Sequence, residues 1–129
     1  MKVLAVAIGG MIGALLRLWI GILLFNPEAA FPYPTLIINL MGSFFLGWFV
    51  IHGAKMVRNK HYILGIQTGI IASFTTFSSF NAELLLLMKD ERYTMALMYF
   101  VISTVIGIAA ILLGMKFGSA TLDKVGEDL

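Results

Sequence analysis

The segment 73–81, with the sequence SFTTFSSFN, holds the densest group of polar side chains within an otherwise apolar stretch. Six of its nine residues carry a hydroxyl or an amide, which is more than hydrogen bonding to the carbonyls of one intact helix would explain. Such a run is typical of a broken helix, whose freed carbonyls can hold a cation and whose freed N–H groups can hold an anion. The alternative is a polar contact between helices with no transport role.

The phenylalanines of this segment indicate which ion the break would serve. Phe77 and Phe80 are three residues apart and share a helix face, and Thr76, Phe80 and Glu83 follow one side of the helix. The edge of a phenyl ring is electropositive, so rings interleaved with hydroxyls suit a small, hard anion better than they suit water. The alternative for both rings is ordinary packing or contact with lipid. Glu83 either pairs with a hydroxyl or backbone donor or lies near the membrane interface.

Isolated polar side chains in other parts of the sequence can extend this path. Arg17, alone among apolar residues, either attracts anions or extends its charge to the membrane surface. Asn39 either points a donor into the path or holds two helices together. Tyr99 and Ser103 are four residues apart and could continue the same polar line.

The residue types argue against several other classes of protein. No nucleophile, base and acid form a catalytic set and no metal-ligand cluster occurs in the sequence, so an enzyme and an organic cofactor are not expected. His52 and His61 flank a basic loop and are expected at the membrane interface. The chain lacks cysteine, and its net charge of +2 is too small to indicate a nucleic-acid partner.

Four long apolar stretches must position these residues. Hydrophobic residues make up 60% of the chain and charged residues 12%, against about a quarter in a soluble domain. Each stretch exceeds the roughly 20 residues that a helix needs to cross a bilayer, which predicts four transmembrane helices. They are expected at about 3–25, 34–54, 62–88 and 93–117, within one transmembrane domain, 1–118, followed by a frayed polar C-terminal tail, 119–129.

The positive charges predict that both termini face the cytoplasm. An even number of helices places both ends on one side, where six lysines and arginines lie against two on the other side. The six are Lys2, Lys55, Arg58, Lys60, Lys116 and Lys124, and the two are Lys89 and Arg92. We therefore expect a multi-pass protein of the cell (inner or plasma) membrane, in contact with the lipid bilayer.

Small residues spaced four apart predict where the helices approach one another closely in lipid. Four short helices cannot easily enclose a pore alone, so the same faces favour a dimer. The small residues are Gly9 and Gly13 in the first helix, Gly65, Gly69 and Ser73 in the third, and Ser103, Gly107, Gly114 and Gly118 in the fourth.

Three motifs occur in order along the chain: GGMIGALLR at 9–17, INLMGSF at 38–44 and TTFSSF at 75–80. Together they resemble the signatures of the first three helices of the CrcB/Fluc family of fluoride channels. The resemblance covers nearly the whole chain, and the third motif is the specific one. It implies a dual-topology, antiparallel dimer of two inverted subunits with two fluoride pores.

The resemblance also implies roles for individual residues. Phe77 and Phe80 match the rings whose edges line the fluoride path, Asn39 matches the pore asparagine, and Arg17 matches the vestibule arginine. The other candidate residues of the fluoride path are Thr76, Ser78, Ser79, Glu83, Tyr99 and Ser103, of which the last three are weaker, positional matches.

In the family, the broken third helix supplies backbone carbonyls to a central structural sodium ion. Thr75 matches one of these donors, and the other position, usually glycine, is Ala72 here. Alanine resists left-handed backbone angles, which glycine adopts freely. An inverted homodimer should carry little charge bias, whereas this chain carries six positive charges against two. A heterodimer with an inverted homologous subunit is therefore the alternative to a homodimer.

The predicted function is passive, selective export of fluoride from the cytoplasm down its electrochemical gradient. The alternative is a small four-helix, dual-topology, proton-coupled exporter of drugs or cations. Such an exporter typically needs an acid in its first helix, but that helix contains Arg17 and no acid, and Glu83 is the only mid-span carboxylate. A further alternative, a subunit of an assembly without transport, would not need the hydroxyl-rich break.

Overall fold

The computed structural model describes residues 2–53, 55, 57 and 59–127. The regular elements of this part of the chain are all helical. Four spans are long and apolar enough to cross a membrane, at Lys2–Leu23, Tyr33–Gly53, Lys60–Lys89 and Tyr93–Ala120. The predicted all-α membrane fold with four spans is therefore confirmed. Ala54, the expected end of the second helix, and Arg58, which was used to predict the topology, lie outside the described residues.

Five helices make up these spans. The first is α1 (Lys2–Leu23), and the second is α2 (Tyr33–Trp48), which a π-helical turn at Phe49–Gly53 continues. The third span contains two helices: α3, residues 60–74, with a π-helical turn at Gly65–Ile71, and then α4 (Phe77–Lys89). The fourth is α5 (Tyr93–Glu127).

The end of α5 differs from the expectation of a frayed tail. The helix continues through residues 119–127 without interruption. Its backbone hydrogen bonds lie within the helix itself and need no lipid around them, so the helical backbone does not have to end where the apolar sequence ends.

Short polar signals begin and end these helices. The Asn59 side chain accepts a hydrogen bond from the backbone N–H of His61 and so caps α3. The turn between α4 and α5 has Glu91 in the left-handed region, with φ of 59°. There the Arg92 N–H donates to the Leu87 carbonyl at 2.9 Å and the Glu91 N–H donates to the Met88 carbonyl at 3.2 Å. This pattern ends α4 tightly and reverses the chain into α5.

Glycines allow two close helix contacts in the fold. Gly9 and Gly13 place the backbone of α1 against the π-helical turn of α3, where an added methyl group would collide with the carbonyl oxygens of Gly65 and Ile70. Gly47 of α2 and Gly114 of α5 bring those two helices together in the same way. Close backbone approach of this kind is how helices associate where lipid removes the hydrophobic drive.

The small residues of α5 are not equivalent to one another. Gly114 and Gly118 lie against α2, as their spacing predicts, but no atom lies within 4 Å of the place where a methyl group on Gly107 would be. The predicted contact at Gly107 is therefore wrong within the single chain. The reason is that α2 crosses α5 nearer its C-terminal half.

This difference gives a matched pair of substitutions. Gly13→Ala should lower the free energy of unfolding in detergent by about 1–3 kcal/mol, because the new methyl group meets a backbone carbonyl that cannot rotate away. Gly107→Ala adds the same methyl group to open space and should change stability by less than about 1 kcal/mol. Thermal unfolding of both variants in one detergent measures the difference. Equal stability of the two would show that the α1–α3 contact is not as close as described.

Candidate functional site

The third span is interrupted at two residues. α3 ends at Phe74, and Thr75 and Thr76 adopt extended backbone angles, with ψ of 157° and 118°, before α4 starts at Phe77. The Thr76 hydroxyl accepts from the backbone N–H of Ser79 at 3.1 Å, which caps the new helix. The hydroxyl-rich sequence therefore supplies the capping group for the helix that restarts inside the span.

Asn39 of α2 satisfies the backbone at the interruption. Its Nδ2 donates to the Thr76 carbonyl at 3.0 Å, and its Oδ1 accepts from the Thr76 N–H at 2.8 Å. In an unbroken helix that N–H would bond to the carbonyl of Ala72. Of the two roles open to Asn39 on sequence grounds, the geometry favours holding two helices together, because both ends of its amide bind Thr76.

The hydroxyls of Thr76, Ser78 and Ser79 lie close together at the interruption. Thr76 Oγ1 lies 3.0 Å from Ser79 Oγ and 3.2 Å from Ser78 Oγ. Thr76 is buried, Ser79 is half-buried and Ser78 is exposed on the surface of the single chain. Hydroxyls both donate and accept, so the group can turn protons toward an anion.

Phe77 and Phe80 lie in opposite surroundings. The Phe77 side chain is 76% exposed, whereas Phe80 is 8% exposed and packs against Tyr99 at a ring-centroid distance of 5.0 Å. The two phenyl rings remain neighbours, with centroids 6.0 Å apart and planes at 25°. The predicted pair therefore lies together, with one ring inside the chain and one on its surface.

Glu83 connects three helices through hydroxyl groups. Its Oε1 accepts from Thr35 Oγ1 of α2 at 2.6 Å, and its Oε2 accepts from the Tyr99 hydroxyl of α5 at 2.7 Å. Thr35 is buried and Tyr99 is completely inaccessible to solvent. The carboxylate is thus bonded on both oxygens. Ser103, one turn beyond Tyr99, has a buried hydroxyl with no hydrogen-bond partner in the described part of the chain.

Two grooves with mainly apolar walls and a few polar side chains lead to the interruption from different directions. The first, the Arg17 groove, lies between α1, α2 and the start of α4 and reaches Phe25 and Pro34 near the first loop; its polar members are Arg17, Thr35, Thr76 and Ser79. The second, the Gln67 groove, lies between α2 and α3 and reaches Leu46; its polar members are Asn39, Ser43, Gln67, Thr75 and Thr76.

Arg17 lies close to the interruption. Its Nη1 is 3.4 Å from the Thr75 carbonyl oxygen, a long hydrogen bond, and the side chain is half-buried. Among residues 2–53, 55, 57 and 59–120, no acidic side chain pairs with it. Of its two sequence-based roles, this position favours a charge facing the groove over one extended to the membrane surface.

The structure adds two residues to the set expected from sequence. Thr35 binds Glu83, and Gln67 lies in the groove with Asn39. The signal for Gln67 was present, because it is the only amide or charged side chain between Tyr62 and Phe80. Its relation to Asn39 depends on how α2 and α3 pack, which the sequence does not state.

Comparisons with known proteins show which family the chain belongs to. The family model described as CrcB-like protein, Camphor Resistance (CrcB), matches residues 4–115. The chain belongs to the CrcB-like family. It is 40% identical over 129 residues to a protein of Oceanobacillus iheyensis named fluoride-specific ion channel FluC, covering 99% of this chain and 98% of that protein.

Two further relatives carry similar names. A fluoride-specific ion channel FluC 1 of Desulfitobacterium hafniense is 41% identical over 107 residues, 82% of this chain and 93% of its own length. A protein of the same name from Bacillus cereus strain ATCC 14579 is 36% identical over 121 residues, 92% of this chain and 84% of its own. These relatives are named as ion channels rather than enzymes, which agrees with the prediction that the chain is not an enzyme. The family and the four spans together identify a multi-pass membrane protein.

The pairing of Asn39 with Thr76 predicts a specific loss of stability. Asn39→Leu removes both hydrogen bonds and leaves the N–H of the buried Thr76 unpaired, so the free energy of unfolding in detergent should fall by about 2–4 kcal/mol. Ser43→Ala, one turn along α2 in the same groove, removes a hydroxyl without a hydrogen-bond partner in the described chain and should change stability by less than about 0.5 kcal/mol. Thermal unfolding of both proteins tests this, and an Asn39→Leu protein as stable as Ser43→Ala would contradict it.

Proposed function

We propose that this chain is a subunit of a fluoride-selective channel that lets fluoride leave the cytoplasm passively. Its family and the names of its relatives support this function. The observation that carries it is the position of Thr76, which lines both grooves at the interruption of the third span. A non-helical segment inside a membrane span is tolerated where it lines a watery path, and this segment brings hydroxyl donors with it.

The two grooves lead toward opposite ends of the helices. The Arg17 groove ends beside Phe25 and Pro34, at the loop between α1 and α2, whereas the Gln67 groove runs along the second half of α3, from Thr75 back to Gln67, and reaches Leu46 near the other end of α2. Consecutive loops of a spanning helix lie on opposite sides of a membrane. A path through both grooves would therefore lead from one side of the membrane toward the other and pass Thr76, which lines both grooves.

The groups along this path suit an anion. Arg17 supplies positive charge at one groove, and hydroxyl donors from Thr76, Ser78 and Ser79 can replace part of the hydration shell that fluoride loses. The electropositive edges of Phe77 and Phe80 add attraction without offering water a hydrogen bond. Glu83, whose carboxylate lies at this level, has both oxygens bonded to the hydroxyl groups of Thr35 and Tyr99.

A second copy of the chain, or an inverted homologous subunit, completes this path. Phe77 is 76% exposed and Ser78 is exposed beside it, so the single chain would present hydroxyl groups to lipid in the middle of a span. Polar groups facing hydrocarbon are unfavourable, and such residues normally face protein. Covering this face by an antiparallel partner would enclose the exposed ring and the hydroxyls, giving the dimer that the resemblance implies.

A structural sodium ion at the dimer centre is part of the proposal. The chain fits this ion in one respect, because the Ala72 carbonyl loses its helical N–H partner to Asn39 and accepts only a long bond from the Thr75 hydroxyl at 3.3 Å. Ala72 has φ of −68° and ψ of −30°, so alanine needs no left-handed angle at this position. Backbone oxygens of Ala72 and Thr75 are hard donors, the kind that hard cations prefer, and an inverted partner would double their number to about four.

The competing proton-coupled exporter is disfavoured by the surroundings of its required acid. A carboxylate that exchanges protons with a substrate path must be open to that path. Both oxygens of the half-buried Glu83 are instead bonded, one to the hydroxyl of Thr35 on α2 and the other to the hydroxyl of Tyr99 on α5. Passive export needs no such group, because a negative cell interior favours the exit of an anion by about 2.3 kcal/mol per 100 mV.

The channel function is tested directly by fluoride efflux from liposomes that contain the purified protein. Efflux should be electrogenic, so it should be slow until valinomycin lets potassium compensate the charge, and a protonophore should not be required in addition. Empty liposomes treated in the same way are the control. Efflux that depends on an imposed proton gradient would support the exporter, and no fluoride efflux at all would reject the channel.

The role of the phenyl rings gives a second test. Phe80→Ile should lower fluoride efflux at least about tenfold, because isoleucine has no electropositive ring edge. The stability loss should stay below about 1.5 kcal/mol, because the replacement is still a large hydrophobic side chain. Phe77→Ile should also lower efflux, though not to the same extent, since the two rings differ in burial.

Phe45→Ile is the matched control for this experiment. Phe45 is 48% exposed and lines an apolar groove on α2 that contains neither Thr76 nor Arg17. Its replacement should leave efflux unchanged. Full efflux through folded Phe77→Ile and Phe80→Ile proteins would reject the ring-edge mechanism while leaving fluoride transport itself intact.

A further inference from the structure

The Gln67 groove contains two side-chain amides with different surroundings. Asn39 uses its carbonyl oxygen and one amide hydrogen to hold the backbone of Thr76. Gln67 lies in the same groove, is half-buried, and has no hydrogen-bond partner in the part of the chain that the structure describes. One amide is therefore committed to the backbone, whereas the other keeps both of its N–H donors.

An amide without a partner inside a membrane span is unfavourable. Transfer of such a group from water into an apolar environment without a hydrogen bond costs several kcal/mol on hydrocarbon scales. Polar residues within spans accordingly face protein or a water-filled cavity and take part in ion or substrate paths. The position of Gln67 fits this rule, because it lines a groove that also holds the hydroxyls of Ser43, Thr75 and Thr76.

The π-helical turn of α3 helps to bring Gln67 to this face. In a regular α-helix, at about 100° per residue, residues 67 and 75 would lie about 80° apart around the axis. The turn at Gly65–Ile71 is wider, with hydrogen bonds spanning five residues instead of four, so each residue advances by a smaller angle. This smaller advance reduces the offset, and Gln67 and Thr75 accordingly line one groove.

We propose that Gln67 donates a hydrogen bond to the anion in the Gln67 groove, between the interruption at Thr76 and the loop before Lys60. The ligand is a small hydrated anion, fluoride in the proposed function on which this inference rests. Gln67 can replace more of the hydration shell than Asn39, because both of its N–H donors are available, whereas Asn39 Nδ2 already gives one of its two hydrogens to the Thr76 carbonyl. Ser43, one turn from Asn39 on α2, faces the same groove and supplies a hydroxyl.

Three substitutions at this position separate the donor from the shape of the side chain. Gln67→Met keeps the length and removes the donors, Gln67→Glu keeps the shape and repels an anion, and Gln67→Asn keeps the amide on a shorter side chain. Thr68→Val is the control, because Thr68 is the exposed neighbour and is absent from the groove. Each full-length protein is purified, checked by elution, and placed in liposomes loaded with potassium fluoride over a range of concentrations.

The expected results follow from the loss of one hydrogen bond to an ion. Gln67→Met should lower fluoride efflux about tenfold and raise the fluoride concentration that gives half-maximal efflux. Gln67→Glu should lower efflux further, Gln67→Asn should stay within about threefold of the unchanged protein, and Thr68→Val should be unaffected. The shift in half-maximal concentration is the readout that a purely structural role of Gln67 would not produce.

The unchanged protein separates the two proposals. If it gives no fluoride efflux, the channel function is rejected and this inference with it. If it conducts, and folded Gln67→Met and Gln67→Glu match it in rate and half-maximal concentration, only the role of Gln67 is rejected. If Gln67→Met does not elute as the native species, the rate and half-maximal concentration of fluoride efflux through Gln67→Glu test the inference instead. If both fail to fold while Gln67→Asn folds, Gln67 is a structural amide and the inference is overturned.

Discussion

Two hydrogen bonds between the Asn39 carboxamide and the backbone of Thr76 allow the third span to be interrupted inside a membrane. A lipid environment offers no water to unpaired N–H and C=O groups, so a non-helical residue at this depth needs partners from the protein. The amide of α2 imitates a peptide group and supplies both. Every other feature of the site depends on this pair, because it fixes the residue at which α3 ends and α4 begins.

The consequences of the interruption extend in both directions along the chain. Toward α3, the Ala72 carbonyl loses its usual helical partner and faces the Thr75 hydroxyl. Toward α4, Thr76 caps a new helix, whose first turns carry Phe77, Phe80 and Glu83. The restart of the helix places Phe80 and Glu83 against α5, where both meet Tyr99, and leaves Phe77 on the surface.

Glycine contacts hold the elements on either side of the interruption. Gly9 and Gly13 bring α1 against α3, which places Arg17 within 3.4 Å of the Thr75 carbonyl. Gly47 and Gly114 bring α2 against α5, so that Thr35 and Tyr99 reach the same carboxylate from opposite sides. A protein without a hydrophobic drive between its helices thus positions its polar side chains through close backbone packing.

The sequence by itself determined the four spans, because hydropathy is a sum over neighbouring residues and needs no knowledge of the fold. It also located the polar segment 73–81, because six polar residues in nine stand out against lipid-compatible surroundings. It could not decide whether Asn39 donates to a path or holds a backbone, nor why Phe77 and Phe80, only three residues apart, differ so strongly in burial. It did not indicate which helix lies beside Gln67, and it predicted a close helix contact at Gly107, where α2 is in fact not in contact. These features were decided by the tertiary structure, because the π-helical turn changes which face a residue occupies and because partners such as Asn39 and Thr76 are 37 residues apart in the chain.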